Sequence, residues 1–152
     1  MDLIRHAGLR IGRALRARVA GDSAPPASSS GIAGFVPEKR QLTGAELALV
    51  QWLVENGGQN TKGYSSQIAR LKVVGRCACG CPTVDFAVGP NFERITGGSE
   101  ILADVVGNTP EGVAVGVILH ARQEQIAELE VYSLTGTEQH FGLPTIKSLK
   151  PF

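Results

Sequence analysis

Three cysteines fall at alternate positions in the stretch GRCACGCPTVDF, residues 75 to 86, and they are all the cysteines of the chain: Cys77, Cys79 and Cys81. Thiolates can ligate a soft metal, exchange disulfides or simply pack as small hydrophobes. On an extended strand alternate residues lie about 6.6 Å apart, which would separate Cys77 from Cys81 by roughly 13 Å. Sulfurs that share one tetrahedral zinc must be far closer, so metal binding demands a bend, and Gly80 with Pro82 supplies a place for one. Three cysteines still leave one ligand position open, and the chain lacks the paired C-x(2–4)-C or H-x(3–5)-H units of ordinary structural sites. His120 or His140 would complete a site only through tertiary structure. A disulfide between neighbours two apart sits at the upper edge of the allowed Cα separation and would be easily reduced. A period of two carried on from Leu71, Val73 and Gly75 puts Cys77 and Cys79 on an apolar strand face. The cysteines are therefore read as core or turn packing, with a zinc site on Cys77, Cys79 and Cys81, or thiol redox chemistry, as the alternatives.

A second group of residues is polar. Asp85, Asp104, His120, Arg122, Glu128 and Glu130 all fall within strand-like segments. On one shared face, carboxylates beside an imidazole could perform acid–base work or hold a divalent ion. An antiparallel sheet ordinarily has one solvated face, however, and no spacing ties these six into a recognised unit, so they are read as a polar surface face. No G-x-S-x-G elbow is present for a nucleophilic serine. VGNTPEGVAVG lacks the P-loop Lys-Ser/Thr and a strand-to-helix G-x-G-x-x-G, so no nucleotide site is indicated. Without an enzyme motif, the chain is read as non-enzymatic.

The elements that must carry these groups are well marked. Thr43 and Glu46 form a capping box ahead of a helix over residues 44 to 56, with Leu42 and Leu47 as the hydrophobic staple and Gly57-Gly58 as the stop. Leu47, Val50, Leu53 and Val54 make its apolar stripe, widened by Leu49 and Trp52. Strands follow in SQIARLKVVGRCACG, TVDFAV, ILADVVG, GVAVGVILHAR and IAELEVYSL. Pairing the last two so that residue numbers sum to 248 sets Leu119 against Leu129 and Val117 against Val131, with His120 opposite Glu128 on the other face; a one-residue slip would pair Leu119 with Glu128. Leu143, Ile146 and Leu149 then pin the tail onto the core. The expected architecture is α+β, with one buried N-terminal helix packed on an antiparallel β-meander of about five strands and preceded by a flexible basic arm.

The chain of 152 residues fits one domain, with 19% charged and 43% hydrophobic residues excluding wholesale disorder. Residues 1 to 36 hold five Arg against Asp2 and Asp22, which leaves ten basic and twelve acidic groups for the rest. The body is thus no nucleic-acid binder by bulk charge. Residues 1–19 can form an Arg-rich amphipathic helix of the kind that targets an organelle or touches a membrane surface, or can be a frayed extension read from a start codon placed upstream. A Ser/Pro/Ala/Gly linker follows, so the arm and linker span 1–36 and the single α+β domain spans 37–152. No apolar run is long enough to cross a bilayer, and three cysteines within five residues are no secreted disulfide framework, which points to a reducing, cytoplasmic compartment.

The helix opened by RQLTGAE, followed by a strand-rich body containing RCACGCPTVDF, resembles an uncharacterised family of small bacterial proteins with a C-x-C-G-C-P hairpin. The resemblance covers residues 40–150 and implies a bacterial cytosolic origin; it carries over no catalytic residue. The sequence alone thus leads to a non-enzymatic protein-interaction module, an adaptor or immunity-type partner of another protein, using the exposed sheet face or an edge strand. The alternative is a metal-binding or thiol-redox protein built on the cysteine hairpin.

Overall fold

The computed structural model describes residues 34–137 and 140–152. Seven strands, β1 Phe35–Arg40, β2 Leu71–Cys77, β3 Val84–Val88, β4 Glu100–Asn108, β5 Ala114–Arg122, β6 Gln125–Ser133 and β7 Lys150–Pro151, form one antiparallel sheet in the order β1-β2-β3-β6-β5-β4-β7. One α-helix, α1 Gly44–Asn56, lies between β1 and β2. β4, β5 and β6 are joined by hairpins; β3 pairs with β6, and the long connection of residues 89–99 carries the chain from β3 across to β4 on the far side of that meander, a Greek-key arrangement. The fold is therefore α+β, with one sheet and one main helix. The basic arm 1–19 and the linker up to residue 33 lie outside the described residues. No described helix is long and apolar enough to cross a membrane.

α1 starts where its sequence signals say. Thr43 Oγ1 accepts from the Glu46 N–H at 3.2 Å, and the Glu46 carboxylate accepts from the Thr43 N–H at 2.8 Å, which closes the capping box. Arg40, the last residue of β1, donates from both Nη1 and Nη2 to the same carboxylate, each at 2.8 Å. Burial pushes the Glu46 carboxyl up, but the Arg40 and Thr43 hydrogen bonds outweigh it and hold the group below its usual range. One side chain thereby fixes both the helix start and the end of the first strand. Leu49, Val50, Leu53 and Val54 face Leu102, Val105, Val117, Leu119, Leu129 and Phe86 in one continuous core.

The β5/β6 register pairs Leu119 with Leu129, Val117 with Val131 and His120 with Glu128, as alternation predicts. Its two-residue turn, Gln123-Glu124, has φ of 50° and 59°. Both values are left-handed, as a type I′ hairpin turn requires and as Asn-Gly would adopt with less strain.

Four expectations change. The sheet has seven strands where about five were expected, because β1 contains Pro37 and no alternation, and β7 is only two residues long. β1 opens at Phe35, two residues before the expected domain boundary at 37, and precedes the helix expected to be N-terminal. That helix is half-buried rather than enclosed: Leu47, expected in the stripe and the staple, is 36% exposed. Finally, Ser65–Arg70 forms a 3-10 helix, so the strand begins only at Leu71. The tail behaves partly as predicted, with Leu143 and Leu149 packed on the core while Ile146 stays exposed.

Candidate metal centre and the ionic face beside it

The cysteines do not extend the core face, and the cause is one residue. β2 pairs Val73 with Phe86 but Gly75 with Asp85, so Val74 is a bulge. An extra residue in a strand reverses the facing of everything after it. Gly75 is thereby turned to the outer face, where the Phe35 ring occupies the space that a Cβ would need, 1.9 Å away. Cys77 follows Gly75 onto that side, paired with Phe35. The chain then turns: the Cys77 N–H donates to Thr83 O at 3.2 Å, and Gly80 takes φ +90°, a conformation costly for any residue with a Cβ. Cys79 is exposed and Cys77 and Cys81 are half-buried. The core-packing reading of the cysteines is corrected accordingly.

The bend brings the three sulfurs together. All three Sγ atoms lie within 4.8 Å of one another, and Cys77 Sγ is 2.8 Å from Cys79 Sγ. The Cys81 N–H also points to Cys79 Sγ, at 3.4 Å. Burial tends to raise the Cys79 thiol, but the hydrogen bonds from Cys77, Cys81 and the Cys81 backbone outweigh it and lower its pKa. Burial, and its role as donor to Cys79, push Cys77 up to about 12. Cys79 is thus more readily ionised than Cys77. His140 joins the turn from the C-terminal side, its Nδ1 3.0 Å from the position a Cβ on Gly80 would take. His120 is elsewhere, on the ionic face. Beside the sulfurs runs a groove of about 510 Å³ lined by Cys79, Cys81, Val131, Tyr132, Ser133, Gly136 and Phe141.

The polar residues share the outer face, yet that face is not simply solvated. The 89–99 connection folds back over it. Arg94 lays its guanidinium over the Phe35 ring, 4.5 Å from the centroid, and its Nε is 3.2 Å from Asp85 Oδ1. Arg122 stands 3.9 Å from the same oxygen and 2.5 Å from Glu128 Oε2. Lys72 helps to hold the loop, lying over the Phe92 ring and donating to Pro90 O at 3.3 Å. Asp85 is consequently buried, and that burial raises its pKa despite the pull of Arg94. His120 reaches past Glu128, its register partner, to Glu130, with Nε2 2.8 Å from Oε2, while its Nδ1 is 2.7 Å from Ser99 Oγ. The hydrogen bond from His120 holds Glu130 below the usual carboxylate range, against the opposing effect of burial. Asp104 stays outside this network, exposed on β4 opposite Ile118.

Five of the six polar candidates therefore converge, but as ion pairs. Three carboxylates already matched by Arg94, Arg122 and His120 do not make a divalent cation site. Among the described residues, the cysteine turn is the cluster of three metal-ligating side chains that meet within 4.8 Å. Sequence reasoning missed Phe35, Arg94 and Ser99. Arg94 and Ser99 sit in or at the end of a Gly-rich connection whose path only the Greek-key topology sets. No family model, curated protein or solved structure matches this chain.

Proposed function

We propose that this is a metal-binding protein whose site is the cysteine turn, with Cys77, Cys79 and Cys81 as thiolate ligands to zinc or a similarly thiophilic cation and His140 as the fourth ligand. The observation that carries the reading is the convergence of the three sulfurs within 4.8 Å around a glycine turn. Zinc–sulfur bonds of about 2.3 Å set tetrahedral sulfurs roughly 3.8 Å apart. The Cys77–Cys79 contact would open by about 1 Å as a metal replaces the shared proton. A lowered Cys79 thiol offers the first thiolate, and binding would release the thiol protons that remain. A reducing compartment, as expected of a bacterial cytosol, would keep the set competent.

Native mass spectrometry of the purified protein, with zinc content by elemental analysis, tests this. One tightly held equivalent is expected, lost in Cys79→Ser and weakened in His140→Ala. Protein that takes up no zinc after reduction and reconstitution would sink it.

The interaction-module reading has one feature in its favour, the largely apolar groove along Val131, Tyr132 and Phe141 beside the cysteines. Its other routes have less support. Both sheet edges carry a proline, Pro37 in β1 and Pro151 in β7, which obstructs strand addition, and the loop 89–99 covers much of the outer face.

A further inference from the structure

We propose that Ser99, His120 and Glu130 form a second site, an activated serine that accepts an acyl or phosphonyl group from a small activated ester. The three groups lie in line: Ser99 Oγ to His120 Nδ1 at 2.7 Å, and His120 Nε2 to Glu130 Oε2 at 2.8 Å. Both distances are those of a nucleophile on its base and of a base on its orienting acid. They arise from neighbouring strands, with Ser99 just ahead of β4, His120 in β5 and Glu130 in β6.

The protonation pattern follows from the partners. Glu130, ionised, can only accept, so Nε2 donates to it, and in the neutral imidazole the Nδ1 lone pair then faces the serine hydroxyl. Relative to the familiar serine hydrolase arrangement, the two ring nitrogens are exchanged. The chemistry needs only one nitrogen free to take a proton and the other held. Glu128, nearer in register, is occupied by Arg122, which leaves Glu130 to the imidazole.

Access divides as a nucleophilic site requires. Ser99 is exposed, whereas the His120 side chain is only 13% exposed. Ile101, the register partner of His120, is 47% exposed and offers an apolar contact for a short acyl group. Ser99 Oγ attacks the acyl carbon as its proton passes to Nδ1; the ester C–O bond breaks and the alcohol leaves with that proton. Water then attacks the acyl-serine by the same base, releasing the carboxylic acid and restoring the hydroxyl. None of these residues belongs to the cysteine turn, so the inference stands apart from the metal reading.

The test is to incubate the protein with a fluorophosphonate, which forms an Oγ–P bond while the P–F bond breaks, fluoride leaves and the serine proton passes through His120 to solvent. Intact mass and peptide mapping are expected to show one adduct, at Ser99, absent in Ser99→Ala. The labelling rate should fall on the order of 100-fold in His120→Gln, the usual size of a general-base contribution, and about 10-fold in Glu130→Gln. Circular dichroism confirms that each variant is folded. No adduct, an adduct that persists in Ser99→Ala, or a wild-type rate no greater than at the exposed Ser66 would overturn the proposal, whether or not His120→Gln folds.

Discussion

The ionic face and the cysteine turn occupy the same side of one sheet and are built on opposite plans. On the ionic face unlike groups meet: Asp85 and Glu128 share Arg94 and Arg122, and Glu130 hydrogen-bonds His120. At the turn, like meets like. Three thiols crowd within 4.8 Å with one shared contact of 2.8 Å, a grouping that a cation would satisfy and that nothing in the hydrophobic effect requires. Complementary neighbours stabilise one another, whereas under the proposed metal reading three like ligands would be held together by a cation. That difference predicts unequal responses to mutation.

The largest effect belongs to the ionic face. Arg122→Met should destabilise by about 3 kcal/mol or more, because it strands Glu128 and part of Asp85 in a buried setting. Urea denaturation checks this, and a loss below 1 kcal/mol would show that the network is ornamental to stability. Next comes the bulge that separates the two regions. Gly75→Ala drives a methyl into the Phe35 ring and should cost about 1–3 kcal/mol, with faster hydrogen exchange concentrated in β1. Thr43→Ala, remote from both regions, supplies a yardstick of about 1 kcal/mol from a lost N-cap, seen as a shifted midpoint at constant slope.

Acid should act on the paired carboxylates. The folded pKa of Glu46 and of Glu130 is depressed, so each contributes stability that is fully present above its unfolded pKa of about 4.3 and is lost as pH falls through the lower folded value. Asp85 runs the other way: its pKa is raised, so its contribution is complete below about pH 3.9 and declines as pH rises through the folded value. Melting temperatures between pH 6 and pH 2 should fall less steeply in Glu130→Gln than in the wild type; equal slopes would mean that the His120 bond is not felt by the fold. The smallest effect is Cys79→Ala in metal-free protein, under about 0.5 kcal/mol for an exposed residue. Even Cys79→Asp, severe on a core face, should be mild here. With zinc bound, the same substitutions should lower the melting temperature sharply, and that contrast between metal-free and loaded protein is the direct measure of the two plans.

What the sequence made legible was local. The Thr43–Glu46 box is complete within four residues, and the β5/β6 register follows from two alternating segments joined by a tight turn. The cysteines were misplaced because a period of two was carried through Val74, and a bulge leaves no mark in such alternation when the extra residue is itself apolar. Phe35, which covers Gly75, was assigned to a linker since FVPEKR has neither alternation nor length. Ser99 reaches His120, and His140 comes beside Gly80, across distances in the chain that no spacing rule connects. The pairing of Asp85 with Arg94 depends on a crossover loop folding back, which is a property of topology.

That crossover also governs the order of assembly. β4, β5 and β6 can form by hairpin closure alone, as can β2 and β3 once α1 is in place. Strand pairing across the seam is confined to Val84 with Leu129 and Asp85 with Glu128, reinforced by Thr83 Oγ1 on the Val131 backbone, all contacts between distant parts of the chain. Such pairings are slow to form and the first to open. Folding should therefore end with the docking of the β1–β2–β3 sheet, which already carries the thiol turn, onto the β4–β5–β6 meander, with the ionic face completed in that final step.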